Sequence, residues 1–217
     1  SDVYKRQPQP LPASFPEFSG TQIRQQPDLH VLLTNGTGAM SHVRASWNSI
    51  RSQYDALLAA NPDTTVPTDR RILFTRCRAW IVRRGFSTEL SPDCCTTVTR
   101  LSASHAAWEF LVPIGNGQRI ALTLTLHLAQ DSNRCLLHFS RTDSLTHEVS
   151  LILRPDIEDR CFHDKTTLAN GHFDSMAAAT LPSPHGFAQP CRDGFLVLHS
   201  SHLSLIHISE PTRQAEI

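Results

Sequence analysis

Apolar residues recur at every second position in the middle of the chain, where Ile120, Leu122, Leu124, Leu126 and Leu128 alternate with Ala121, Thr123, Thr125 and His127. A period of two belongs to a β-strand with one buried face. Gly115-Asn116-Gly117 just before it offers the left-handed backbone that a tight turn to an antiparallel neighbour requires. Each fully buried leucine contributes roughly 1.5–3 kcal/mol, and a slip of one residue would expose all of them, so this strand holds its own register. That strand is placed at Gln118–Ala129, and further strands are predicted over Asp28–Thr34, Arg70–Val82, Thr96–Ser102, Ala106–Ile114, Asn133–Arg141, His147–Arg154 and Phe195–Leu198. Strands spaced this closely between turn residues predict an all-β fold, a large antiparallel β-sandwich.

The pattern is less regular elsewhere. Pro8–Pro27 carries five prolines and no apolar period, which predicts an extended lead-in with little structure. In Ile50–Asn61 the residues Ile50, Tyr54, Leu57 and Leu58 fit helical spacing, and Asn61-Pro62 could end a helix. Gly85 marks a break before Phe86 and Leu90. Asn35-Gly36-Thr37-Gly38 reads as a sharp turn, since it lacks the third glycine of a dinucleotide fingerprint and the lysine of a phosphate-binding loop. Leu151-Ile152-Leu153 is expected to stop at Arg154-Pro155, because proline has no backbone N–H. A charged turn, Asp156 to Arg160, would follow. Beyond His163 the pattern becomes a loop through Gly171 and several prolines.

Composition narrows the function classes. Lysine plus arginine equals aspartate plus glutamate at 20 each, so the formal net charge is zero, with no basic block for nucleic acid or an anionic membrane surface. No apolar run approaches the roughly 20 residues that span a bilayer. The six cysteines, at 77, 94, 95, 135, 161 and 191, form no Cys-x-x-Cys pair, which argues against a zinc site. The chain exceeds the size at which disulfides are usually required and shows no signal peptide, so reduced thiols in a cytoplasmic protein are expected.

Both ends read as foreign. Asp2–Gln7 and Leu203–Ile208 can be encoded by one DNA string and its reverse complement, GATGTGTATAAGAGACAG and CTGTCTCTTATACACATC, which resembles a transposon-derived sequencing adapter. Residues 1–7 and 203–217 are therefore expected to be translated adapter and primer. That leaves 8–27 as the lead-in and 28–202 as the sandwich, and 8–202 is then expected to be an internal piece of a longer protein.

Candidate chemistry gathers near Leu151–His163. Asp156, Glu158 and Asp159 lie between Arg154 and Arg160, with His163 close behind. The flanking arginines should lower the carboxyl pKa values, which suits Asp156 and Glu158 poorly to donating a proton as general acids. No catalytic residue and no metal ligand is assigned.

Three segments carry a family likeness: Leu32-Leu33-Thr34-Asn35-Gly36-Thr37-Gly38, then Arg51-Ser52-Gln53-Tyr54-Asp55-Ala56-Leu57-Leu58, then Arg154-Pro155-Asp156-Ile157-Glu158-Asp159-Arg160 with Phe162-His163. In this order they resemble the N-terminal domain of bacterial glycogen debranching enzymes. Asp55 and Ala56 stand where the commoner family pattern has histidine and glycine. The resemblance implies a strand rather than a helix over Tyr54–Ala59, and we follow it there. It also implies a β-sandwich packed on a C-terminal (α/α)6 barrel of the same polypeptide, which carries the hydrolytic carboxylates and cleaves α-1,6-glucosidic branch points. The enzyme would be an amylo-α-1,6-glucosidase needing no cofactor, and the fragment alone would be inactive. Its partners would be glycogen or α-glucan oligosaccharides and the barrel.

On this reading Arg51, Tyr54, Asp55, Arg154, Asp156, Asp159, Arg160 and His163 form a polar edge that contacts glucan or docks the barrel, with Tyr54 or Trp47 as the aromatic face. The same residues would equally serve as a charged network tying loops to the sandwich. Two other functions compete: a stand-alone carbohydrate-binding sandwich without catalysis, and an aldose-epimerase-like sandwich using His127 and His138 on adjacent strands.

Overall fold

The computed structural model describes residues 15–63, 66, 68–144, 148–166, 179–191 and 194–201. The proposed adapter segments, 1–7 and 203–217, lie outside these residues, as do the first part of the lead-in, His147 and the stretch around Gly171. The chain packs as two compact units, Ser1–Lys165 and Thr166–Ile217.

The first unit is an antiparallel β-sandwich, as expected. Its strands are β1 (Glu17–Ser19), β2 (His30–Thr34), β3 (Met40–Arg44), β4 (Ala56–Ala60), β5 (Arg71–Arg83), β6 (Phe86–Glu89), β7 (Cys95–Arg100), β8 (His105–Pro113), β9 (Arg119–Leu128), β10 (Cys135–Arg141) and β11 (Ser150–Cys161). One sheet runs β1-β7-β8-β9-β10 and the other runs β11-β5-β4-β3-β2, with β6 paired to β5. The β8–β9 turn takes positive φ at Gly115, Asn116 and Gly117 (87°, 52° and 71°). From it the five alternating residues of β9 all turn inward and are buried.

Ala106, Trp108, Phe110 and Val112 do the same from β8. The sheets meet through Trp108, whose indole N–H donates to the Ala45 carbonyl at 3.1 Å and whose ring packs edge-on against Trp47 with centroids 5.1 Å apart. An aromatic pair in this geometry adds about 0.5–1.5 kcal/mol beyond its buried area. Trp47 is 2% exposed, so it cannot offer the aromatic face to a sugar considered above.

Four readings of the chain need correction. The lead-in is structured from residue 17: β1 pairs with β7, and a helix α1 (Gly20–Gln25) follows. Ser19 caps α1 by accepting from the Gln22 N–H while the Gln22 side chain accepts from the Ser19 N–H, a reciprocal box. Gly20 lies against β7, where a Cβ would collide with the Cys95 carbonyl.

The helical spacing of Ile50–Asn61 misleads, and the strand that the family resemblance implied over Tyr54–Ala59 is what forms: residues 56–60 are β4, buried at all five positions. A strand covered on both faces is apolar without alternation, and periodicity alone cannot separate it from a helix.

Pro155 does not end a strand. β11 passes through it, with Pro155 opposite Cys77, and continues to Cys161. β11 lies at the edge of its sheet, where a residue lacking an N–H is tolerated. The expected charged turn is thus the second half of a strand, with register shifts on either side of Ile157.

In the second unit β12 (Leu181–Ser183), β13 (Gly186–Cys191) and β14 (Gly194–His199) form a separate antiparallel sheet. The predicted strand Phe195–Leu198 falls in β14, but two of its neighbours occupy the stretch read as loop.

Candidate functional site

The loop between β3 and β4 and the end of β11 meet at one edge of the first unit. Arg160, on β11, donates from its two terminal nitrogens to the carbonyls of Gln53 (2.5 Å) and Asp164 (2.7 Å), and from Nε to Glu158 Oε2 (2.5 Å). Gln53 Nε2 donates to the His163 carbonyl at 3.3 Å, and the Tyr54 hydroxyl lies 3.3 Å from His163 Nδ1. Three rings cluster here: centroids are 5.0 Å apart for Tyr54 and Phe162, 5.8 Å for Tyr54 and His163, and 5.3 Å for Phe162 and His163. Phe162 is seated on a small core of Ala56, Ala59 and Ile72, with Met40 beside it. Arg70 lies over its ring at 5.4 Å. His163 is exposed, and Gln53, Tyr54 and Phe162 are half-buried.

Beneath this edge Asp55 is 3% exposed and saturated with donors. Its carboxylate accepts from His42 Nδ1 and Arg44 Nε at 2.9 Å, and from the backbone N–H groups of Arg51 (2.7 Å) and Ser52 (2.9 Å). Burial alone would raise its pKa, but the hydrogen bonds from His42, Arg51, Arg44 and Ser52 outweigh it and hold the carboxyl well below the usual range. Asp55 is therefore a fixed anion that shapes the loop. Arg51 contributes its backbone N–H, while its side chain is exposed.

The remaining candidates separate into two other groups. Asp159 accepts from Arg71 Nε at 2.5 Å, with side chains 9% and 10% exposed. Asp156 accepts from Arg76 Nε at 2.5 Å, with Arg78 and Arg154 nitrogens at 3.6 and 3.8 Å. Of the eight candidates, Tyr54, Arg160 and His163 come together at the aromatic edge and Asp55 supports it from below. Arg154, Asp156 and Asp159 serve ion pairs along β5 and β11.

Sequence reasoning missed His42 and Arg44 because β3 was not recognised, and missed Arg71, Arg76 and Arg78 because their partners across the sheet were unknown. The alternation Met40-His42-Arg44 about Ser41 and Val43 was the available signal.

The histidines considered for epimerase chemistry are not paired. Register places His127 opposite Leu136, and its ring neighbour is His105 at 5.4 Å. Burial and the nearby His127 lower the His105 pKa. Among the described residues no group of three His, Cys, Asp or Glu side chains could hold a metal ion. No helix among them is long and apolar enough to cross a membrane.

The architecture is thus that of a two-sheet β-sandwich with an aromatic and polar rim at one edge. The family model for the N-terminal region of glycogen debranching enzyme matches residues 30–208, and the chain belongs to that family. Searches of curated proteins and of solved structures give no match.

Proposed function

We propose that this chain is the N-terminal sandwich of a glycogen-debranching glycoside hydrolase and that its Tyr54–Phe162–His163 edge contacts α-glucan. Catalysis, on this reading, belongs to an (α/α)6 barrel elsewhere in the same polypeptide, where α-1,6-glucosidic branch points are cleaved. No residue described here is assigned a catalytic role: Asp156 and Glu158 both accept from arginine side chains and are engaged in the sheet. A cytoplasmic location fits the irregular spacing of the cysteines.

The observation that carries the proposal is the combination at one rim of three adjoining rings with planar hydrogen-bonding groups. Sugar rings present apolar C–H faces and equatorial hydroxyls, so they favour sites that pair an aromatic face with fixed polar groups. Tyr54 and His163 supply ring faces and edge donors, Gln53 supplies an amide that donates to the His163 carbonyl, and Arg160 holds in place the loop that carries Gln53 and Tyr54.

A role in docking the barrel is the second reading, favoured by Leu151, Ile152 and Leu153 on edge strand β11, which are 38%, 51% and 40% exposed.

Calorimetric titration with maltoheptaose tests the first reading. Tyr54→Ala should weaken binding about 10-fold, the order expected for a lost stacking partner, while Tyr54→Phe, which keeps the ring, should lose only a few-fold. Absence of binding by the native chain, or equal affinity for Tyr54→Ala, would refute it.

A further inference from the structure

Along the outer side of the six-stranded sheet, register places Arg154 directly across from Arg78 and Asp156 across from Arg76. The four side chains therefore share one face, as Arg76 and Arg78 are two residues apart on the same strand. Like charges set directly opposite one another destabilise a sheet, and here three guanidinium groups surround a single carboxylate. Asp156 bonds closely to Arg76 alone, at 2.5 Å, and Arg78 and Arg154 stand off at 3.6 and 3.8 Å. The cluster carries a net charge of about +2.

The arginines are partly prepositioned. Arg76 also donates to the Asn48 carbonyl at 3.1 Å, and the Arg78 guanidinium lies over the Trp80 ring at 5.8 Å from its centroid. Arg78 Nε is buried and makes no hydrogen bond among the described residues. Such an orphaned donor on a charged group is costly unless something accepts from it. Arg154 is 65% exposed, and its Nε stands 3.8 Å from the Asp156 carboxylate. Glu89, across from Trp80, adds an acid at the far end of the face. Beside the arginines the face turns apolar: Ile152, 51% exposed, stands opposite Trp80.

We propose that Arg76, Arg78, Arg154 and Trp80 form a binding site for a phosphate-class oxyanion, either inorganic phosphate or a phosphate monoester carried by a sugar. Planar guanidinium forks match the oxygens of such an anion bidentately. A dianion neutralises the excess charge that Asp156 leaves, and Trp80 with Ile152 offers a surface on which the ring of a sugar ester can lie. The site is separate from the Tyr54 edge and does not depend on the glucan reading.

The test is calorimetric titration of the full 217-residue chain at low ionic strength with inorganic phosphate, glucose 6-phosphate and neutral glucose. Both phosphates should bind and glucose should not. Equal affinities assign the site to the free ion, and tighter binding of the ester assigns it to a sugar phosphate. Arg78→Gln and Arg154→Gln should each weaken binding about 10-fold, and Arg84→Gln, an exposed arginine outside the cluster, should leave it unchanged. If Arg78→Gln fails to fold, the solvent-exposed Arg154→Gln carries the comparison. No saturable phosphate binding, or binding that Arg154→Gln and Arg84→Gln affect alike, would overturn the proposal.

Discussion

Arg160 donates a 2.5 Å hydrogen bond to the backbone carbonyl of Gln53, 107 positions earlier in the chain. This contact joins the last residues of β11 to the loop that presents Tyr54, and so brings Tyr54 and His163 within reach of each other. The guanidinium is almost fully used: Glu158 and Asp164 take its remaining contacts. Arg160 thus acts as a positioning residue for the aromatic edge.

Arg160→Ala is expected to reduce maltoheptaose affinity several-fold while lowering folding stability by about 1.5–3 kcal/mol, the size of at least one lost charged hydrogen bond. Arg160→Lys should not restore affinity, because a single ammonium cannot span the same acceptors. Calorimetry on both variants, with urea melts alongside, separates the two effects. Unchanged affinity with reduced stability would leave Arg160 a purely structural tie.

Asp55 and Arg44 form a buried pair, with side chains 3% and 8% exposed. Asp55→Asn leaves Arg44 with the exposed Asp28, 3.3 Å away, as its remaining anion among the described residues and should cost about 3 kcal/mol at pH 7, in the range for breaking a buried pair from one side. The pH dependence has a definite sign. The Asp55 carboxyl titrates lower in the folded chain than its unfolded value of about 3.9, so its contribution is complete above about pH 4 and is lost as pH falls further toward the folded value. Urea melts of native chain and Asp55→Asn should therefore differ by a constant amount between pH 7 and 5, and converge below pH 4. A difference that stays constant to pH 3 would contradict the assignment.

Much of the sandwich was readable from residue order. β8 and β9 alternate cleanly because one face of each is core and the other is not, and the Gly115–Gly117 turn has the chemistry its positive φ values need. β4 was opaque for the opposite reason: Ala56–Ala60 is buried at every position, so its apolar run has no period. β11 was misread at Pro155, because tolerance of proline depends on the strand lying at a sheet edge, which only tertiary pairing decides. The Ser19–Gln22 capping box was present in the chain but hidden among prolines.

At the site, Tyr54, Arg160 and His163 could be singled out as sugar-compatible residue types. That Asp55 would be buried under His42 and Arg44, and that Asp156 and Asp159 would be spent on β5 arginines, required the register of strands far apart in sequence.

Cysteine reactivity offers a separate check on the core. Burial pushes the thiols of Cys77, Cys95 and Cys135 up to about 12, with Asp156 adding to the effect at Cys77, Cys94 at Cys95 and Cys77 at Cys135. At pH 8 only on the order of one thiol in ten thousand is then ionised, and the thiolate is the reactive form. Iodoacetamide labelling followed by peptide mass spectrometry should find Cys77 and Cys95, both buried, protected in the native chain and modified rapidly in urea. Fast labelling of Cys77 or Cys95 under native conditions would contradict the packing described.

The central claim is that α-glucan lies on the Tyr54–Phe162–His163 edge, and the most direct measurement is a chemical-shift titration of the isotope-labelled chain with maltoheptaose. Saturable shifts should concentrate at Gln53, Tyr54, Phe162 and His163, with little change on β9 and β10. Shifts confined to other surfaces, or none at millimolar sugar, would contradict the account.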